Sequence, residues 1–281
     1  METIIGLGSA GCNIADEFAK YPQYKVLKFD VDIYGDSCYF LPYLETPEEY
    51  ETLMSDYTSV FNKIEGDVLL VLGGSGNVTG GALRLLEQLG GHRTNVLYIQ
   101  PNIALLGERK RQQERLVYYV LQEYARSGLL KRLYLVSNPH LEEILGGVPV
   151  VGYYDKLNEL LVSTIHMINV FNHSDFVVGN FSEPHEIARI STFGISSLKN
   201  EQKMFFSLDS TREMVYYYGI NEEKLKTDTA LFKMITDNIE NHDAKASYGV
   251  YSTKYDEDYV YCVAHSSLIQ YRETEKKALQ L

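Results

Sequence analysis

The sequence contains no tryptophan and only three cysteines, Cys12, Cys38 and Cys262, in 281 residues. An odd number of cysteines with no C-x-x-C pair offers neither a disulfide framework nor a zinc site, and suits a reducing compartment. No apolar run approaches the roughly 20 residues of a membrane-spanning helix. The first apolar stretch begins almost at Met1, with no basic-then-apolar leader ahead of it. Basic charge is also in short supply. The 26 Lys and Arg against 38 Asp and Glu give a net charge of −12, which disfavours non-specific binding of nucleic acid and leaves room only for a local basic patch. The histidines form no H-E-x-x-H or similar ligand spacing, and His166 and His173 read as packing residues. These absences predict a soluble, cytoplasmic protein with no membrane span, no direct nucleic-acid contact and no transition-metal site. What is present is ordinary globular material, 45% hydrophobic and 23% charged. The chain is long enough for one large domain or two moderate ones, burying about three quarters of its unfolded surface. The 23 tyrosines read as sheet and core material.

The first half alternates two periodicities. Strand-like runs at 3–6, 25–30, 67–72, 95–100 and 132–137 alternate with helical patterns at 12–20, 48–63, 82–89, 109–126 and 141–145. That alternation predicts an α/β fold, a parallel, Rossmann-like sheet covered on both faces, with ligands at the carboxyl ends of its strands. A long amphipathic helix follows over 153–173, with Leu157, Leu160, Leu161, Ile165, Ile168 and Phe171 on one stripe. Beyond it the texture predicts a smaller α+β C-terminal domain. Its expected elements are a short helix after Ser182, a strand at 204–208, a helix at 222–240, and an antiparallel hairpin of 246–253 with 258–267 around the acidic turn KYDED. The expected division is therefore 1–152, 153–173 and 174–270, with a short charged tail at 271–281. No internal repeat is visible.

Two glycine-rich stretches carry the chemistry. "IIGLGSAGCN" runs a short apolar strand into Gly6, Gly8 and Gly11, spaced G-x-G-x-x-G, at the start of a helix. Such a turn lets a phosphate meet backbone N–H groups and the positive end of the helix. Asp30 closes the next strand 19 residues after Gly11, near where a ribose-binding acid of a dinucleotide site belongs. The second stretch, "VLGGSGNVTGGA", follows another buried strand with five glycines, Ser75 and Thr79 ahead of a helix. One pyrophosphate needs one such loop, whereas two on neighbouring strand ends suit a longer phosphate chain.

In order along the chain, these stretches resemble the motifs of the tubulin/FtsZ GTPases. GLGSAGCN resembles their first glycine loop, and GSGNVTGGA their GGGTGTGAA-type phosphate signature, with N-V-T-G in place of T-G-T-G. The resemblance implies nucleotide contacts from Gly8, Ser9, Ala10, Gly11, Cys12 and Asn13, and from Gly74, Ser75, Gly76, Asn77, Val78, Thr79 and Gly80. "KFDVD" is similar to the loop that sets acids beside the phosphates, implying Asp30 and Asp32, with Asp32 at a Mg2+ ion. "QPNIALLGERKR" resembles P-F-x-F-E-G-K-K-R, with Pro101 and Gly107 matching and Leu106 where FtsZ has an acid. In this basic run Arg109 and Arg111 are candidates to touch phosphate, against the plainer reading of a solvated helix face. "VSNPHLEEI" implies a base or ribose role for Asn138, and "LNELLVSTI" sets Asn158 at the guanine edge, where an amide can both donate and accept. Each of the three asparagines also has a plain reading: a helix opener at Asn13, an Asn-Pro turn at Asn138, and a solvated helix position at Asn158.

The family carries a further loop after its long helix, typically N-x-D-x-x-D/E. Here "VVGNFSEPHEIARI" offers Asn180 with Glu183 and Glu186, one residue longer than that spacing. Two readings stand side by side: carboxylates that polarise a water attacking a γ-phosphate, or Ser182 capping a helix with an acidic first turn. Asn158 and Phe171 are about 20 Å apart along the helix at 1.5 Å per residue. The carboxylates would then serve the nucleotide of the next subunit in a head-to-tail stack, which builds an open filament. The resemblance thus implies a GTP/GDP-binding, GTP-hydrolysing protein that partners itself. In a chain without long C-terminal helices or a disordered linker, it points to a divergent phage or plasmid TubZ-like tubulin in a bacterial or phage-infected cytoplasm. The alternatives are an NAD-dependent oxidoreductase using Gly6, Gly8, Gly11 and Asp30, and a catalytically silent nucleotide-binding filament protein. Cargo or adaptor, strand number and polarity are not legible.

Overall fold

The computed structural model describes residues 2–90, 92–240 and 244–272. The chain divides into two compact units, with the division between Val162 and Ser163. The expected charged tail falls almost wholly outside the described residues. Among those residues no helix is long and apolar enough to cross a membrane.

The first unit is built from β1 (Glu2–Leu7), α1 (Gly8–Phe18), β2 (Tyr24–Asp30), β3 (Cys38–Phe40), α2 (Pro47–Leu53), α3 (Thr58–Phe61), β4 (Val68–Gly73), α4 (Ala82–Gln88), β5 (Thr94–Gln100), α5 (Glu108–Ser127), β6 (Arg132–Ser137) and α6 (Asn138–Leu145). It also takes the first half of α7 (Tyr153–Asn172). Its six strands lie in the order β3-β2-β1-β4-β5-β6, and every pair among them is parallel. Strands covered on both faces are apolar almost throughout, and Ile4, Ile5, Leu70, Val71, Val96 and Leu97 are fully buried.

The single helix expected at 48–63 is two. The Thr46 hydroxyl and the Glu49 carboxylate form a capping box that starts α2, with Pro47 at its first position. The chain then leaves the helix at Met54, where the Gln88 amide accepts from Tyr57 N at 2.6 Å and donates to Ser55 O at 3.1 Å. Asp56 accepts from Thr58 N at 2.8 Å and restarts the helix. The hydroxyl and N–H of Thr58 hold that carboxyl below its usual range.

The second unit holds the rest of α7, β7 (Val178–Gly179), β8 (Ile190–Ser197), β9 (Lys203–Met204), β10 (Glu213–Asn221), α8 (Glu222–Thr227), α9 (Leu231–Glu240), β11 (Lys245–Thr253) and β12 (Tyr259–Ser266). Its sheet runs β8-β12-β10-β11-β7, with β9 against β8. Three expectations are corrected here. The hairpin of 246–253 with 258–267 does not form, because β10 lies between those strands, parallel to β11 and antiparallel to β12. The β10–α8–α9–β11 stretch is a crossover, the connection a parallel pair requires. The helix expected at 222–240 breaks at Asp228, whose carboxylate accepts from Ala230 N at 3.0 Å. The strand expected at 204–208 is only the two residues of β9.

β10 is buried on both faces. Met214, Tyr216, Tyr218 and Ile220 join Leu231 and Ile235 of α9 in one cluster. Tyr217, facing the other way, stacks in a group with Phe171 at the end of α7 and with Tyr251.

A close approach of backbones sets α1 on its sheet. A Cβ on Gly11 would collide with the carbonyl oxygen of Val71 in β4, and one on Gly6 would lie 2.6 Å from Gly11 O. Both neighbours are backbone, so neither can yield. Gly11→Ala is therefore expected to destabilise the first unit by about 2 kcal/mol or more. That is a fall of about 4–8 °C in its unfolding transition by circular dichroism. An unchanged transition would show that α1 can move off β4 at no cost.

Candidate functional site

Because β1 through β6 are parallel, their carboxyl ends share one edge. From β1 the chain winds outward to β2 and β3, and from β4 in the opposite direction to β5 and β6. The switch point lies between β1 and β4, and ligands of such sheets bind in the crevice there. The two glycine stretches leave the sheet at these two strand ends. They are side by side: a Cβ on Gly8 would lie 3.6 Å from Val78, and one on Gly73 would lie 3.2 Å from Ala10.

The first loop is a single residue of turn. Gly8 takes φ +69, and the helix begins at once, with Leu7 at its N-cap and no side chain capping its first turn. Its leading N–H groups are thus left to backbone, water or ligand. The Ser9 hydroxyl donates to Asp30 Oδ2 at 2.9 Å, and Val31 N donates to Asp30 Oδ1 at 2.9 Å, so Asp30 is buried and held at both oxygens. Cys12 points into the protein, towards Gly6 O and Phe29 O, and burial pushes its thiol up to about 12. A cavity of about 400 Å3 opens beside this loop, lined by Ser9, Asn13 and Asp16 of α1, by Lys28 and Asp30 of β2, and by Asp32 and Tyr34 beyond it. Lys28 pairs with Asp16 at 2.6 Å, a hydrogen bond that raises the ammonium's pKa. Asn13 and Asp32 are exposed and have no hydrogen-bond partner among the described residues.

The second loop is closed by its neighbours. Residues Asn77–Gly81 form a 3-10 turn ahead of the seven-residue α4. A side chain on Gly74 would strike the Tyr98 hydroxyl, and one on Gly80 the backbone of Pro47, so these glycines are required by packing. Thr79 Oγ1 donates to Gly73 O at 2.7 Å. From α5, Lys110 Nζ donates to Ser75 O at 2.9 Å and Asn77 Oδ1 at 2.6 Å, and Gln113 Nε2 donates to Gly76 O at 2.6 Å. Beneath them the buried Glu114 accepts from the Tyr98 hydroxyl at 2.5 Å. Burial, and secondarily Arg109, lowers the Lys110 pKa.

Lys110 and Gln113 were absent from the sequence-based candidates. Their signal was the helical spacing: 110, 113 and 114 share one face of α5, whereas Arg109 and Arg111 fall to its sides. Arg109 is exposed with no hydrogen bond or ion pair among the described residues. Arg111 donates to Ala104 O at 3.3 Å.

Pro101 follows β5 and Asn138 opens α6 at the end of β6, so both stand at the same edge. Asn158 lies near the start of α7. Neither amide has a hydrogen-bond partner among the described residues, and both are half-buried. The Tyr153 hydroxyl donates to Glu142 of α6 at 2.7 Å, and burial together with that carboxylate pushes the phenol up to about 12. Glu159, six residues further along α7, lies within electrostatic reach of Lys20 just past the far end of α1. Helix α7 therefore runs away from the ligand edge, and the loop preceding it stands at that edge.

In the second unit no helix follows Ser182, which removes the helix-cap reading of Glu183 and Glu186. The segment is irregular because β11 and β10 hold it extended. Asn180 N donates to Tyr248 O at 3.0 Å while its side-chain oxygen accepts from Tyr248 N at 2.9 Å. Phe181 packs on Tyr217 at 5.7 Å, and His185 N donates to Glu213 Oε2 at 3.1 Å. Glu183 and Glu186 project from this fastened loop, exposed and unpartnered among the described residues. Asp175, three residues past the end of α7, is also exposed and unpartnered. With Asn172 it makes N-x-x-D directly after the helix, again one residue longer than N-x-D, a signal hidden until the helix end is known.

No protein-family model matches the chain, and no curated protein does. Solved structures do. A GTPγS-form protofilament of TubZ from Bacillus thuringiensis serovar israelensis is similar at a TM-score of 0.75 and 15% identity, covering 99% of this chain and 89% of that one. An empty FtsZ dimer from M. jannaschii is similar at 0.70 and 14%, covering 94% and 88%. A GTPγS-bound protofilament of CetZ2 from Haloferax volcanii is similar at 0.70 and 15%, covering 99% and 96%. With its glycine loops paired at the β1/β4 switch point, the chain has the tubulin/FtsZ fold.

Proposed function

We propose that this protein binds and hydrolyses GTP and assembles head to tail into filaments. The observation that carries the reading is the pairing of two glycine loops on adjacent strand ends, which suits a triphosphate better than a dinucleotide. The similarity to nucleotide-bound protofilaments of TubZ and CetZ supports it. A divergent TubZ-like protein of phage or plasmid type is the finer reading that goes with it.

In this reading the first turn of α1, Gly8 to Asn13, and the loop from Gly74 to Gly80 hold the phosphates through backbone N–H groups. Asn138 and Asn158 bring free amides to ribose and guanine. Asp32 is an exposed carboxylate at the cavity, fit to share a Mg2+ ion with phosphate oxygens. Among the described residues no group of three His, Cys, Asp or Glu is placed to hold a metal alone. Bound there, Mg2+ would neutralise phosphate charge. The exposed acids Glu183 and Glu186, with Asp175 as a further candidate, orient and deprotonate the attacking water. In a head-to-tail stack these acids act on the nucleotide of a neighbouring subunit, and hydrolysis follows assembly.

Isothermal titration with GTP, ATP and NAD tests the ligand. GTP is expected to bind, with ATP and NAD far weaker, and NAD binding without GTP binding would return the site to an oxidoreductase.

The catalytic assignment is read from phosphate release. Glu183→Gln/Glu186→Gln is expected to bind GTP and assemble while turnover falls by about 10²–10⁴, the usual range for a lost proton-transfer group. Its filaments should outlast those of the native protein. Loss of turnover in Asp175→Asn alone, with the double variant active, would move catalysis to the helix end. Native turnover per molecule should climb with protein concentration, and a flat dependence would exclude a shared active site.

A further inference from the structure

Segment 180–188 is attached to the sheet of the second unit at successive polar points. Asn180 exchanges hydrogen bonds with the backbone of Tyr248, Ser247 Oγ donates to Ser182 O at 3.4 Å, and His185 N donates to Glu213 Oε2 at 3.1 Å. Past that point Ala188 N returns to His185 O at 2.9 Å, and the buried Ala188 leads into β8. Glu183 and Glu186 therefore stand on either side of His185, with the stiff Pro184 between. The attachment of His185 is to a charged acceptor, the strong kind of hydrogen bond.

Glu213 is buried at the start of β10, a place where an apolar side chain would carry no desolvation cost. Its charge is accommodated by neighbours. Arg212 Nε lies 3.5 Å from Glu213 Oε1. His265 of β12 is directly opposite Glu213, and Ser191 of β8 is directly opposite His265. Ser191 Oγ and His265 Nδ1 are 2.8 Å apart. Opposed residues share a face of the sheet, so serine, imidazole and carboxylate form one buried polar row across β8, β12 and β10. The row ends at the His185 N–H.

We propose that Glu213 is a positioning residue for hydrolysis, fixing through the His185 N–H where Glu183 and Glu186 stand. The inference rests on the hydrolysis reading above and adds what holds its acids in place. A backbone shift of about 1 Å is enough to misplace a proton acceptor. Glu213 supplies the fixed point, and Arg212, His265 and Ser191 hold Glu213. It acts through the backbone and not on the water.

Glu213→Leu tests this, since it fills the same space without an acceptor. It leaves the His185 N–H and the Arg212 guanidinium to water, and both residues are exposed, so the fold is expected to persist. Hydrogen exchange at the His185 amide should speed up by about tenfold or more. The kcat for GTP should fall by about 10–100-fold, with KM and the critical concentration for assembly within about twofold. Glu213→Gln keeps a carbonyl for the N–H and should regain most of the native rate. A merely structural role would instead lower the unfolding transition and move all of these quantities together. Native turnover in Glu213→Leu would overturn the inference and leave the hydrolysis reading standing, as would a Glu213→Gln chain as slow as Glu213→Leu. Should Glu213→Leu not fold, the native chain decides. Its His185 amide must exchange at least about tenfold more slowly than the Glu186 amide, which has no partner among the described residues, and equal rates would overturn the inference. A native chain without GTP turnover at any concentration would overturn the hydrolysis reading and this inference with it.

Discussion

The seating of α1 directly on the sheet, backbone against backbone, is the constraint on which the site depends. Gly6 and Gly11 have no side chains, so the helix lies within contact of β1 and β4 without an intervening layer. That closeness lets Ser9 reach Asp30 across to β2, and brings Asn13 and Asp16 to the cavity wall. It also leaves Gly8 as the whole of the connecting turn, with a left-handed φ that only glycine adopts at little cost. A helix one methyl group further out would separate the two loops and open the crevice.

The second loop depends on α5 in a different way. Its carbonyls are gathered by Lys110 and Gln113, and its floor is the Tyr98–Glu114 pair. A glycine-rich segment without such tethers would sample many conformations, each incurring an entropic cost when a ligand ordered it. The tethers leave that cost in folding rather than in binding. They also place a cation, its pKa lowered by burial, directly behind the loop.

Much of the first unit was legible because its parallel strands are unbroken apolar runs ending in glycine or polar residues. β1, β4, β5 and β6 stand out that way, β2 was legible despite Lys25 and Lys28, only the short β3 was missed, and the glycine spacing located both loops. The second unit was less legible for physical reasons. β8, Ile190–Ser197, mixes serine and threonine into a buried strand, and the tyrosines of β10 are buried on both faces, so neither alternates. With β10 unseen, its two neighbours looked like partners of each other. Lys110 and Gln113 were hidden in a charged run, since their role depends on which face of α5 meets the loop. The true end of α7, and with it Asp175, rests on where Asn172 gives way to a segment that β11 draws into extended form.

The strand order of the second unit has a bearing on how the protein is born. β12, at 259–266, joins β8 to β10, so the sheet has no centre until that late stretch has been synthesised. The first unit is complete by Val162, and the roughly hundred residues between take about 5–20 s to make at 5–20 residues per second. The glycine loops therefore exist on a nascent chain well before the sheet that fastens the acidic segment at Asn180 and His185. During that interval the first unit has all its strands while the second still lacks the one that joins its halves, so the two units take shape in succession as the chain emerges.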